Sequence, residues 1–184
     1  MRPAPAALLL ALFIGFTATA QAEEKRITLD HPLVLADAKG KTVTSDGFPG
    51  QWLLVYFGYT HCADQCPTAL SAMVEALDEI GPAAAQIQPL FVTVDPERDT
   101  AAALKDYLAS FDPHVHGLTG DPAALAAVAK AYRVYYKKVP LDGGDYTMDH
   151  TAIVYLMDKE GHFVSPFSLK RKPEVAAAEL RKYL

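Results

Sequence analysis

The chain has 184 residues, 51% hydrophobic and 21% charged, and a formal net charge of −5. That is material for one domain with a sizeable core, and the acidic balance excludes a basic patch for nucleic acid. Its only two cysteines lie four positions apart, so a disulfide between them would constrain little of the unfolded chain. Residues 1–22 read as an export signal: Arg2 supplies a charge, residues 6–16 an apolar core, and Ala20-Gln21-Ala22 a small-x-small cleavage site. The apolar run falls short of the roughly 20 residues a spanning helix needs. Cleavage and a periplasmic location are therefore expected, with an uncleaved tether to the inner membrane as the alternative. No cysteine stands near the cleavage site, which excludes a lipidated N-terminus. Cleavage leaves 162 residues, 23–184, as a single domain with a net charge of −6.

Residues 33–36 and 42–44 flank Asp37-Ala38-Lys39-Gly40-Lys41 and predict a hairpin. The continuous apolar run 52–57 predicts a central strand buried on both faces. Leu70, Met73, Val74, Leu77 and Ile80 then make a helical stripe that stops at Gly81-Pro82. Residues 88–94 predict the next strand, and the crossover rule makes the two strands parallel neighbours. A second helix is predicted over 100–110, and Asp121-Pro122 opens a third, with Asp as cap and Pro in its first turn. Residues 151–157 predict a strand, Asp158-Lys159-Glu160-Gly161 a turn, 162–164 the return strand, and 173–183 a last helix. The pattern is that of an α/β, thioredoxin-like sandwich: a central mixed sheet flanked by helices, with an added N-terminal hairpin.

In open α/β sheets the binding crevice lies beyond the carboxyl ends of the parallel strands. Cys62 and Cys66 follow the first such end and Asp95 the second, while His150 stands at the start of strand 151–157. If that strand runs antiparallel to the first, two thiols, one imidazole and an acidic turn converge on one rim. Pro67 at the first helical position makes Cys66 the cap, where the helix dipole favours its thiolate, and leaves Cys62 the more exposed sulfur. Three residues intervene, not the two of ordinary dithiol oxidoreductases, so the spacing permits both disulfide exchange and metal binding. Two thiolates with one imidazole suit Cu(I) and, with a weak added ligand, Cu(II); zinc competes, because two cysteines, one histidine and a water make an open zinc site.

The remaining candidates have plainer readings. His114 and His116 read as loop residues, His162 as a hairpin residue, and His61 as a solvated neighbour of Cys62. Met148 reads as packing before it reads as a thioether ligand. Asp99 and Thr100 read as helix-capping residues first, and only second as partners of Asp95 in an acidic pair.

Four blocks carry a family resemblance. They are the turn from Phe57-Gly58-Tyr59-Thr60-His61-Cys62 to Cys66-Pro67; Val94-Asp95-Pro96-Glu97-Arg98-Asp99-Thr100; Tyr132-x-Val134-Tyr135-Tyr136-Lys137-Lys138-Val139; and Tyr146-x-x-Asp149-His150-Thr151-Ala152-x-x-Tyr155-Leu156-x-Asp158. In that order they resemble the Sco/SenC copper-binding assembly factors of cytochrome c oxidase, across essentially the whole mature domain. The resemblance implies a thioredoxin-like fold that binds one copper, Cu(I) or Cu(II), through Cys62, Cys66 and His150. It makes Asp95 and Asp99 the family's acidic pair, linked to copper handling or partner recognition. Members deliver copper to the CuA centre of oxidase subunit II or reduce its cysteines for loading, and some bacterial relatives serve other exported copper proteins. A copper donor and a thiol reductant are the further partners implied. Many members keep a membrane anchor, whereas this chain reads as carrying a cleavable signal.

The leading expectation is thus a metallochaperone, a binding protein that releases its cargo by ligand exchange, with thiol–disulfide reductase activity left open. The alternative is a thiol–disulfide oxidoreductase in which Cys62 and Cys66 are the redox pair and His150 is dispensable. A peroxiredoxin-type peroxidase is disfavoured because its Thr-x-x-Cys spacing is missing. A zinc-stabilised or disulfide-stabilised binding domain is disfavoured by the short cysteine loop and by His150.

Overall fold

The computed structural model describes residues 34–37, 39–44 and 47–184. The expected signal segment and Leu33 lie outside the described residues. β1 (Val34–Asp37) and β2 (Thr42–Thr44) pair antiparallel as the predicted hairpin. Its turn is built locally: the Asp37 carboxylate accepts the Lys39 and Lys41 amides, and Gly40 takes the left-handed φ of 74°.

β3 (Trp52–Gly58) is buried at every position after Trp52, as an uninterrupted apolar run requires. The stripe on α1 (Gln65–Ile80) buries Leu70, Met73 and Ile80, together with Cys66. Gly81 ends that helix, and a 3-10 turn (Gly81–Gln86) leads into β4 (Ile87–Thr93), which runs parallel to β3. Thr100 caps α2 (Ala101–Leu108) by accepting the Ala103 amide. Asp121 caps α3 (Pro122–Ala131) by accepting the Ala123 and Ala124 amides. Between them β5 (His116–Thr119) runs parallel to β4 and antiparallel to β1.

Among the described residues β6 (Tyr136–Pro140) and β7 (Tyr146–His150) pair only with each other. β8 (Val154–Met157) returns antiparallel to β3 and pairs with β9 (Phe163–Phe167); α4 (Pro173–Leu180) packs on α1. Among the described residues the main sheet has seven strands in the order β2-β1-β5-β4-β3-β8-β9, and β6 with β7 forms a separate two-stranded sheet. This is the expected α/β sandwich of a mixed sheet with flanking helices. Aromatic side chains knit its centre: Phe57 meets Tyr132 and Tyr155 with ring centroids 5.3 and 5.9 Å apart.

Three local readings of the sequence are corrected. The strand expected over 151–157 begins only at Val154, and His150 instead ends β7 opposite Tyr136. His116, read as a loop residue, opens β5. Residues 136–140 and 146–150, to which the periodicity assigned no element, form the hairpin that carries His150. Each of these segments owes its extended form to a neighbouring strand, which no local pattern announces.

Candidate metal centre

The site begins where β3 leaves the sheet. Beyond Gly58 the chain turns through Tyr59 and Thr60, and the Cys62 amide donates to the Tyr59 carbonyl at 3.3 Å. α1 starts at Gln65, with Asp64 as its cap residue and no side-chain hydrogen bond from it. Cys66 is therefore the second helical residue and not the cap, a correction to the sequence reading. Proline is tolerated throughout a first helical turn, so Pro67 does not force the helix to start there. The Cys62 sulfur takes the vacant capping role, accepting the Cys66 amide at 3.3 Å. Cys62 is half-buried and Cys66 fully buried, both as free thiols, so the expected difference in exposure holds.

Burial also decides the protonation of Cys66. Its thiol is pushed up to about 12, chiefly because an anion there would be stripped of water, which corrects the expectation of a dipole-favoured thiolate. The Tyr56 hydroxyl donates to the same sulfur at 3.8 Å. Gly58 makes room for it: a methyl at that position would lie 2.9 Å from the Cys66 Sγ and 2.9 Å from a Phe91 ring carbon.

His150 arrives from the other side on β7. Its Nδ1 lies 3.1 Å from the Thr151 carbonyl oxygen, which can only accept, so Nδ1 carries the proton. Nε2 is left with its lone pair facing the Cys66 thiol at 3.7 Å. Desolvation lowers the imidazole's pKa, which favours the neutral, ligating form. The rings of Tyr59 and Tyr56 stand edge-on to the imidazole at 5.7 and 6.3 Å and limit its tilt. The Cys62 Sγ, the Cys66 Sγ and a His150 ring nitrogen all lie within 4.8 Å of one another. Two sulfurs and one nitrogen at that spacing fit a soft ion held in trigonal fashion. A cavity of about 590 Å³, walled by Tyr56, Ala69, Ile153, Phe167 and Leu169, opens beside Gln65 next to this cluster.

The acidic pair is adjacent but does not join the cluster. Asp95 is 1% and Asp99 0% exposed, and both carboxylates are engaged by protein donors. Asp99 accepts the Thr60 amide at 3.0 Å and the Thr60 and Thr93 hydroxyls at 2.6 Å each. Asp95 accepts the Tyr146 hydroxyl at 2.9 Å and the Arg98 Nε at 2.5 Å. Met148 is buried as packing, His114 pairs with Asp112, and His61 lies exposed beside Thr60. His116 opens β5 against the Phe48 ring. Asp158, Glu160 and His162 also approach one another, but Asp158 is occupied by the Glu160 and His162 amides of its own turn. Tyr56, Tyr59, Thr60 and Arg98 received no separate role in the sequence reading; in the structure they brace the cluster or its supports.

The SCO1/SenC family model matches residues 21–184. The chain belongs to the SCO1/SenC family. It is 44% identical over 154 residues to the human mitochondrial protein SCO1 homolog, covering 82% of this chain and 51% of that protein. The chain thus spans about half the length of that curated relative. The structure of Bradyrhizobium japonicum ScoI with copper bound superposes with a TM-score of 0.79 at 56% identity, covering 84% of this chain and 98% of that one. Arabidopsis thaliana ScoI with copper bound superposes at 0.78 with 37% identity, covering 83% and 96%. The fold is the thioredoxin-like one of these SCO1/SenC structures. Among the described residues no helix is long and apolar enough to cross a membrane.

Proposed function

We propose that the protein is a copper chaperone acting in cytochrome c oxidase assembly, with Cys62, Cys66 and His150 as the ligands of its cargo. One observation carries this reading: two thiols and an imidazole nitrogen with a directed lone pair converge within 4.8 Å although His150 is 84 positions from Cys66. Copper-bound relatives at 56% and 37% identity support the choice of copper over zinc. Loading expels the thiol protons, so binding is coupled to proton release. Cys62 is the half-exposed sulfur, where an incoming client thiolate can begin ligand exchange. The client is oxidase subunit II or another exported copper protein, and a donor and a thiol reductant complete the cycle. The site of action is the periplasm, supported by Arg2, the apolar core 6–16 and the small-x-small motif at 20–22. Residues 23–184 then act as one domain.

Anaerobic titration of the reduced protein with Cu(I), against a chelator of known affinity, tests the reading. Tight one-to-one binding that vanishes when the pair is oxidised is expected. Binding no tighter than the chelator's overturns it.

A second reading is favoured by the unequal burial of the two thiols. An exposed attacking Cys62 and a buried Cys66 suit a dithiol that reduces client cysteines. On that reading Cys66→Ser traps a mixed disulfide with a client, Cys62→Ser does not, and His150→Ala leaves reduction unchanged.

A further inference from the structure

The metal cluster is assembled from two pieces that share no backbone ladder. The cysteines ride on the end of β3 and the start of α1, inside the main sheet's framework. His150 rides on the β6–β7 hairpin, whose strands, among the described residues, pair only with each other. The chain itself brings His150 to the rim through the short link to β8, which pairs with β3. The tilt and approach of the hairpin are left to side chains, most of them from the connection between β4 and α2.

That connection reaches in both directions. Toward the cysteines, Asp99 holds the amide and hydroxyl of Thr60, two residues ahead of Cys62. Toward the histidine, Asp95 accepts the Tyr146 hydroxyl at the foot of β7, and the Arg98 Nη1 donates to the Tyr146 carbonyl at 2.9 Å. The Arg98 guanidinium lies 3.7 Å from the centroid of the Tyr146 ring while its Nε is held by Asp95. Lys138 on β6 reaches back to Glu97 at 2.7 Å. The two halves of the connection are themselves tied, because the Asp99 amide donates to the Asp95 carbonyl at 2.9 Å. From the main framework the Tyr59 hydroxyl, 2.7 Å from Thr147 Oγ1, adds a further side-chain hydrogen bond to β7, beside the contact between Cys66 and His150 within the cluster itself.

We propose that residues 95–99 form a bracket that sets the separation of the two sulfurs from His150, with Asp95, Arg98 and Tyr146 as positioning residues for the imidazole. Neither carboxylate ligates the ion. The inference rests on the three-ligand reading of the site. It predicts a selective defect: loosening the hairpin end disturbs the nitrogen ligand and leaves the paired sulfurs in place. Cu(II), which needs the imidazole, loses affinity by about 10- to 100-fold, the usual cost of removing a support behind a ligand. Cu(I), satisfied by two thiolates, is retained.

The test uses Tyr146→Phe, which removes one oxygen and keeps the ring under Arg98, and Asp95→Asn. Cu(I) and Cu(II) affinities are measured by chelator competition, and the nitrogen hyperfine pattern of the Cu(II) protein by electron paramagnetic resonance. Weakened Cu(II) binding with a changed nitrogen pattern, and Cu(I) affinity within about threefold of the parent, supports the bracket. Equal loss of both ions, or an unchanged Cu(II) spectrum and affinity in Tyr146→Phe, overturns it. A parent protein that binds neither ion overturns the chaperone reading itself, a separate result. Should Asp95→Asn fail to fold, Tyr146→Phe alone carries the decision.

Discussion

At Gly58 the absence of a side chain is what lets a helical cysteine lie against the end of β3. An alanine methyl there would meet the Cys66 sulfur and the Phe91 ring, each at 2.9 Å, inside a packed core. Gly58→Ala should lower stability by about 1–3 kcal/mol in a urea melt, as overpacking does. It should also weaken metal binding, because the methyl presses on the Cys66 sulfur itself; an unchanged midpoint would refute the clash. Cys66 gives the second residue-scale prediction. Burial lifts its thiol from 9.0 to about 12, so above pH 9.0 the unfolded chain releases a proton that the folded chain retains. Its contribution to stability is whole below 9.0 and is lost as pH climbs toward about 12. Denaturant unfolding of the reduced, metal-free protein at about pH 8 and pH 11 should show that loss, and Cys66→Ser should show less of it. Metal capture must expel this same proton, so apparent affinity rises with pH, by up to about tenfold per unit for this one thiol.

Elements with their own hydrophobic signature were legible from the chain: the apolar run of β3, the stripe on α1, the capped starts of α2 and α3. Elements defined by a partner were not. β5 has four residues, one of them Gly117, where a methyl would lie 2.7 Å from Leu108, and it is a strand because β1 and β4 flank it. The β6–β7 hairpin mixes tyrosines with Lys137, Lys138 and Asp149, and its half-exposed alternation gives little periodicity to read. The cysteine pair and His150 were nonetheless named correctly as neighbours, because either route to β8 brings residue 150 to the rim where β3 ends. The reading missed what holds them there. Asp99 caps no helix; it secures the cysteine loop through Thr60, and Thr100 does the capping of α2. Asp99→Ala would strand the Thr60 amide and two hydroxyls, at a cost of roughly 2–4 kcal/mol in chemical denaturation. Thr100→Ala, which loses only an exposed cap, should cost about 1 kcal/mol. Equal losses in the two variants would contradict the assignment of roles.

For the molecule as a whole, the proposed three-ligand site links metal binding to folding, since the donor atoms of Cys62, Cys66 and His150 meet only once β3, α1 and the hairpin are in place. Copper at about 100 times its dissociation constant should add about 2.7 kcal/mol to the stability of the reduced protein. Calorimetric melts should show the rise for the reduced chain and none once the thiols are oxidised. The same two sulfurs can thus enter two very different cross-links. A disulfide joins residues four apart and forbids the unfolded chain about 2 kcal/mol worth of conformational freedom. An ion bound to Cys66 and His150 ties positions 84 apart, a closure worth about 4–5 kcal/mol on the same entropic scale. On the three-ligand reading proposed above, the bound ion is a long-range tether, and its release removes a closure spanning nearly half the chain.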